Sequence, residues 1–454
     1  MGMHVGPRIR PRRFSKDLGL LDTIFLGIGF VVGSGIFLFP IVMAGNAGTY
    51  SLVSWVIGGI YTILTGLCFA ENAVRVPKVG GLYAYAHQAF GDKMGFLAGW
   101  SYWIGYCATI STETAAVAVY SKYFLPSMSD MSRLFVALTI TFLFIVINHF
   151  GVKSSGKAED LLTVGKLIPL VAFIIIGLFF VNTQNYYPLA PTTITTSLPA
   201  SIGAATILAL WAYLGVEIIA VPFDEIKDAK KTVPRAIMAT VLIVMAVFLA
   251  VSAVALGMTR YEAYLGSGTP LADIIQATSK GVTGSALGLL LGVGGMIAII
   301  GSINAVVLGT PRISYAMARD KLFPRFFAYI SPKRKTPTVG ILVETIIGVT
   351  VLLLVKDLQS LASLAVMYTI IPYLVSSLAT IQFIRKDHWK THIIKTRWVP
   401  FIATAASILL FFYFKPQVLL VGVILLLLGV PVYLSRKRFA LKTETSSKRE
   451  PGQR

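Results

Sequence analysis

Cysteine is almost missing from this chain. Only Cys68 and Cys107 occur in 454 residues, both inside apolar runs, which rules out a disulfide framework and leaves two small packing residues. Histidine is nearly as scarce, at five. His388 and His392 have the i, i+4 spacing of a helical zinc pair, but they sit in a basic stretch and no glutamate completes the pattern. No Gly-x-Ser-x-Gly elbow and no phosphate-cradling loop occurs. An enzyme is therefore disfavoured, and neither a metal nor a cofactor is expected. Charge is short as well. Charged residues make up 13% of the chain, about half the ~25% of an average soluble domain. Acidic residues are the rarer sign, 20 against 40 basic ones.

Apolar residues take up the difference, at 56%. Twelve apolar runs stand out, at about 19–45, 50–74, 93–121, 132–149, 160–182, 200–221, 233–258, 282–311, 337–355, 358–383, 398–414 and 416–434. Each is near the ~20 residues that cross a ~30 Å hydrocarbon core. The expected fold is an all-α membrane protein with 12 transmembrane helices, and no large soluble domain fits anywhere. Some links are very short: Lys356-Asp357 separates spans 9 and 10, and Lys415-Pro416 separates spans 11 and 12. A channel would need a continuous polar-lined pore, and these spans carry few polar residues.

A formal net charge of +20 raises the question of nucleic acid, and the placement of the charges answers it. With a cytoplasmic N-terminus, the outside loops hold only Lys122, Arg133, Arg260, Lys280, Lys356 and Lys415. Lys166 lies within a span, and the rest of the lysines and arginines fall on the inside segments. That asymmetry is the positive-inside signal of a cell-membrane protein with both termini cytoplasmic, and it excludes a nucleic-acid partner. The partner is the lipid bilayer, whose anionic inner leaflet attracts basic residues by about 1 kcal/mol each. The polar N-terminus (Arg8, Arg10, Arg12, Arg13, Lys16) leads into a run without a small-residue cleavage site, so no cleaved leader is expected.

Two spans are interrupted. Span 1 reads Gly27-Ile28-Gly29-Phe30-Val31-Val32-Gly33-Ser34-Gly35-Ile36-Phe37, then Pro40. Close helix packing through small residues accounts for Gly27 and Gly29. The contiguous Gly33-Ser34-Gly35 faces three directions, so local unwinding is expected there. Span 6 carries Trp211-Ala212-Tyr213-Leu214-Gly215-Val216-Glu217, with a carboxylate at membrane depth, a functional candidate by default. Spans 1 and 6 open two five-helix halves. Five is odd, so the second half starts on the opposite side of the membrane: a 5+5 inverted repeat, followed by helices 11 and 12. The chain divides into a tail at 1–18, a transport core at 19–383 with halves at about 19–182 and 200–383, helices 11 and 12 at 398–434, and a tail at 435–454. Breaks at matching places in inverted halves point to a midplane substrate site. An unwound turn frees N–H groups that attract a carboxylate and C=O groups that attract an ammonium, so one amino acid zwitterion satisfies both.

At these residues the chain resembles the amino acid–polyamine–organocation superfamily. Further likeness lies in Ala70-Glu71 with Val76 to Tyr83, in Asp224-Glu225-Ile226-Lys227 with Thr232 to Ile237, and in Tyr315 to Asp320 with Thr336-Pro337. The resemblance implies that the substrate carboxylate is held by amides at Gly33, Ser34 and Gly35, with Ile36 opening the second half-helix. It implies that the ammonium is held by carbonyls of Val31, Trp211 and Leu214, that Trp211 lies over the substrate as a gate, and that Glu217 couples the gates. A plain alternative for Glu217 is a buried carboxylate bonded to nearby backbone. Tyr106, Thr109, Tyr213 and Ser302 are the candidates for substrate choice. Heteromeric relatives use a cysteine after span 3; residues 122–131 contain none, so no covalent heavy-chain subunit is expected.

Lys166 lies about six residues, ~9 Å, into span 5, where it either snorkels to the surface or works at depth. By resemblance its ammonium replaces a sodium ion between spans 1 and 8, near Gly29 and Ser302. That implies sodium-independent transport driven by protons or exchange. Glu113, in Ser111-Thr112-Glu113-Thr114, lines the pocket for a cationic side chain, takes a proton or pairs with Lys166, or simply bonds surrounding hydroxyls. Neutral L-amino acids are the first expected substrates, cationic ones the second and polyamines the third. A solute sensor on the same scaffold is the rival from another class.

Overall fold

The structure is a computed structural model that describes residues 18–435, apart from 77, 79, 151–155, 192–195, 221–225, 332–335, 356 and 395. Both expected tails, the Asp224-Glu225 motif and Lys356 lie wholly or mainly outside the described residues. Among these residues sixteen α-helices form, in order α1 (Leu20–Val31), α2 (Ser34–Ala47), α3 (Ser51–Arg75), α4 (Leu82–Phe90), α5 (Asp92–Tyr120), α6 (Asp130–Phe150), α7 (Gly156–Gly177) and α8 (Leu198–Tyr213), then α9 (Ala229–Met258), α10 (Pro270–Ser279), α11 (Gly281–Gly309), α12 (Pro311–Arg319), α13 (Thr338–Leu354), α14 (Leu358–Lys386), α15 (Val399–Leu410) and α16 (Pro416–Leu427). Among the described residues no strand forms; a single parallel bridge joins Leu18 and Ile226. Among the described residues six runs are long and apolar enough to cross a membrane: Ser34–Arg75, Asp130–His149, Ala229–Met258, Gly281–Arg319, Leu358–Lys386 and Pro416–Ser435.

The apolar runs read from the sequence coincide with helices because each is a stretch whose backbone polar groups must be satisfied internally where there is no water. α5 is the axis of the assembly. It packs along α14 on one side and against α11, α13 and α6 on others. α3 lies against α8 and α9, and α1 against α9 and α7. Glycines let these axes come close: Gly105 of α5 sits on Tyr368 and Thr369 of α14, and Gly295 of α11 sits on the Tyr120 ring. The outer faces carry exposed Phe135, Phe142, Leu354 and Phe412, side chains suited to lipid rather than water.

Three short helices were not expected. α4 and α12 lie in the links after α3 and α11, and α10 lies in the link before α11. Their 9 or 10 residues are too few to cross a bilayer and fall below the length of an apolar run.

Candidate functional site: a cavity where two broken helices cross

α1 stops at Val31. Val32 turns to an extended conformation and its N–H closes the last turn on the Ile28 carbonyl at 2.9 Å. The helix resumes at Ser34, with Gly33 as its cap. The unwound stretch is thus Val32-Gly33; Ser34 and Gly35, expected to be unwound with it, are the first turn of α2. That turn still has amides with no intrahelical partner. α8 stops at Tyr213. Leu214 is extended and Gly215 has φ +106°, a conformation open to glycine and costly for other residues. A short 3-10 turn, Val216–Ala220, follows.

The two breaks touch. A Cβ on Gly215 would stand 3.3 Å from the Phe30 carbonyl, and a Cβ on Gly35 would stand 2.5 Å from the Ala212 side chain. Between them opens a small cavity of about 50 Å³, tighter in this conformation than the roughly 300–1,000 Å³ of filled small-molecule sites. Val31, Gly33, Ser34 and Gly35 line it from one break, and Trp211, Leu214 and Glu217 from the other. Tyr106, Thr109 and Glu113 close it from α5, and Ser302 from α11. Phe30, Ala212, Gly215, Ile218, Ala305, Val306 and Thr369 complete the wall. Phe30, Ala212 and Gly215 fall within the two interrupted stretches; Ile218, Ala305, Val306 and Thr369 were not legible, because such residues have the same type whether they face lipid, a neighbour or a cavity.

Three of the candidates lie elsewhere. Ile36 is fully buried in the core and forms no part of the wall. Tyr213 is turned away: its ring meets Trp55 edge-on and its hydroxyl donates to the Trp55 carbonyl at 3.0 Å, because its face of α8 packs on α3. Lys166 sits behind the first break, 2% exposed, and its Nζ donates to the Gly29 carbonyl at 3.0 Å. In an unbroken helix that carbonyl would take the N–H of Gly33, four residues on, so the lysine serves a group that the break releases. Of the carbonyls expected to face an ammonium, that of Trp211 already accepts the Leu214 N–H at 3.3 Å, leaving one lone pair.

Two carboxylates frame the cavity. Glu217 bridges elements: its Oε1 accepts from Tyr106 at 2.8 Å, and its Oε2 from the Tyr373 hydroxyl at 2.5 Å and the Gly215 N–H at 3.0 Å. It ties the second break to α5 and α14, so it is both a backbone anchor and an inter-helix clamp. Tyr102 extends this chain to the Tyr106 hydroxyl at 3.3 Å. At the first break, Glu113 Oε1 accepts from the Ser34 hydroxyl at 3.1 Å. Trp211 Nε1 donates to the Ser34 hydroxyl at 3.3 Å. Glu113 Oε2 is buried without a hydrogen-bond partner. A carboxylate therefore rests at the amide end of α2, where the helix dipole favours negative charge. The arrangement can hold one anionic and one cationic group a few ångströms apart, in a compartment with largely apolar walls. Among the described residues no group of three potential metal ligands occurs.

A family model described as amino acid permease matches residues 18–430. The serine/threonine exchanger SteT of Bacillus subtilis (strain 168) is 29% identical over 440 residues, covering 93% of this chain and 97% of that protein. The methylthioribose transporter of the same organism is 29% identical over 462 residues, covering 95% and 96%. Its branched-chain amino acid permease BcaP is 23% identical over 350 residues, covering 72% of each. These relatives are transporters rather than enzymes, and with the apolar helices they place the chain among multi-pass membrane proteins. A family match across more than nine-tenths of the chain leaves one assignment: it belongs to the amino acid permease family.

Proposed function

We propose that this chain is a secondary active transporter of L-amino acids, sodium-independent and driven by protons or by exchange, that works by alternating access around the cavity between the two helix breaks. One observation carries the reading: peptide groups freed in α1–α2 and in α8 open onto a single enclosed space. The amides of Ser34 and Gly35 suit the substrate carboxylate, and the carbonyls of Val31 and Leu214 suit its ammonium. Trp211 closes over the pair. The arrangement of elements supports twelve spans with two inverted five-helix halves and both termini cytoplasmic. α4 lies between the second and third spans of the first half, and α10 lies between the second and third spans of the other.

Proton coupling is supported by Glu113. Its carboxylate rests at the amide end that the substrate carboxylate would use, and two such charges repel. A proton on Glu113 removes the repulsion and turns an acceptor into a donor. Uptake should therefore rise as pH falls, and Glu113→Gln, which fixes the uncharged form, should flatten the pH profile. A variant that keeps the wild-type profile would sink this role.

The direct test is radiolabelled amino acid uptake and counterflow in proteoliposomes. Replacing sodium with potassium should leave the rate unchanged, and neutral amino acids should compete better than cationic ones, polyamines or methylthioribose. Binding without flux would favour a sensor, and competition by polyamines alone would point to an amine carrier.

A further inference from the structure

A much roomier cavity than the substrate site lies at one end of the helix assembly. It is a trough of about 760 Å³ where the end of α5, the start of α6 and the end of α13 meet the link before α10. We propose that this trough binds one anionic phospholipid, with its phosphate on Lys122 and an acyl chain laid along α5. The inference rests on the membrane placement of the chain and not on which solute it carries.

α5 and the turn after it supply the floor. Ala115, Ala118, Val119 and Lys122 line the trough, and their i, i+3, i+4, i+7 spacing is one face of a helix. Seven residues rise about 10 Å, so the lysine heads an apolar strip two turns deep. The two alanines make the room, since a larger side chain at either place would fill it. Met131 of α6 and Leu352 and Leu353 of α13 form the sides. Met131 is 74% and Leu353 54% exposed, so the trough opens sideways, onto the outer surface that carries Phe135 and Leu354. The remaining lip is the link before α10. It is fixed against α5, because a Cβ on Gly268 would stand 2.6 Å from the Val119 carbonyl, and against α10, because Ser267 and Thr269 donate to Asp273.

The charges select the head of the occupant. Three charged residues border the trough: Lys122, Asp130 and Arg133. Arg133 pairs with Asp130 and donates to the Leu125 and Met128 carbonyls, so these two charges cancel and hold the link between α5 and α6. Lys122 is exposed and, among the described residues, has no acidic partner of this kind. Its ammonium is the unmatched charge, placed where the apolar strip ends. Phosphate above an acyl chain complements an ammonium above an apolar strip. A soluble phosphate would satisfy the lysine and leave the strip empty. A zwitterionic lipid would fill the strip and bring a second cation to the lysine.

The test is photolabelling of the full chain in phosphatidylcholine vesicles that carry a trace of phosphatidylglycerol with a diazirine on its acyl chain. A parallel sample carries the same diazirine on phosphatidylcholine, and labelled peptides are read by mass spectrometry. Phosphatidylglycerol should mark residues 115–122 and 352–353 about fivefold more than phosphatidylcholine, the scale of one lysine beside an anionic lipid. Lys122→Gln should abolish that preference, and Ala118→Trp should cut labelling by both lipids. Met131→Glu sets a like charge on the rim at an exposed position and should reduce phosphatidylglycerol labelling alone, so the result does not depend on one variant folding. Soluble glycerol phosphate should not compete. Equal labelling by the two lipids, or a preference that survives Lys122→Gln, overturns the site. So does competition by glycerol phosphate, which would make it a headgroup pocket without a chain. Absence of labelling by either lipid also overturns it and leaves the trough to a second copy or to water. Amino acid uptake enters none of these readouts, so the transport reading and this inference can fail separately.

Discussion

Gly35→Ala is expected to reduce amino acid uptake to background, a loss of about 100-fold or more, while the protein still inserts and accumulates in the membrane. Alanine is a better helix former than glycine by up to ~1 kcal/mol, and residue 35 lies in the first turn of α2, so local propensity favours the change. The obstacle is the neighbour. The new Cβ would lie 2.5 Å from Ala212 Cβ and 2.7 Å from Ala212 Cα. Backbone cannot swing aside as a flexible side chain does. α2 and α8 must separate by nearly an ångström to restore an ordinary contact of 3.4 Å, and a polar constellation tolerates only about 0.5 Å of misplacement. The gripping amides of Ser34 and Gly35 sit on α2, and the Leu214 carbonyl follows directly on the end of α8. Gly165→Ala is the matched control, because a Cβ there meets nothing within 4 Å, and it should leave uptake and melting temperature within experimental scatter. Uptake by Gly35→Ala within twofold of wild type would mean that the crossing of α2 and α8 is not the binding site.

Whether a feature could be read from the sequence depended on its local cost. Gly33-Ser34-Gly35 and Gly215 are conspicuous because glycine is disfavoured in a helix interior, and a carboxylate such as Glu217 is conspicuous because burial of charge is expensive. Those residues located both breaks. The extent of each break was less legible: α2 restarts at Ser34, since one extended residue and one cap already free the amides. Thr369, Ala305 and Val306 were invisible because an apolar or threonine residue in a span has the same type whether it faces lipid, a neighbour or a cavity; only rotation of the helix tells them apart. Tyr213 shows the same limit from the other side. It lies two residues from Trp211, yet α8 turns roughly 100° per residue, which sends Tyr213 to Trp55 while Trp211 faces the cavity. The Glu217 clamp needed Tyr106 and Tyr373, which are 267 positions apart in sequence and meet only after packing.

Replacing Lys166 should be as damaging as Gly35→Ala, for a different reason. The first break leaves the Gly29 carbonyl without its helical N–H, deep among packed helices, and the Lys166 ammonium supplies the missing donor at 3.0 Å. The same Nζ stands 3.0 Å from where a Cβ would be built on Gly301, so the group bridges α7, α1 and α11 at the point where the break must hold its shape. A hydrogen bond to a charged group contributes about 1.5–3 kcal/mol, and an orphaned buried acceptor costs a further ~1–3 kcal/mol. Together these correspond to a loss of roughly 100-fold or more. Lys166→Ala removes both charge and volume; Lys166→Met keeps most of the volume and removes only the donor. Both are expected to lose uptake and its pH dependence, with membrane abundance near wild type. If Lys166→Met transported normally while Lys166→Ala failed, the lysine would be a filler and its part in coupling would be wrong. If the wild type required sodium, the ammonium would not be serving as the fixed cation between α1 and α11, and the sodium-independent mechanism would fall with it.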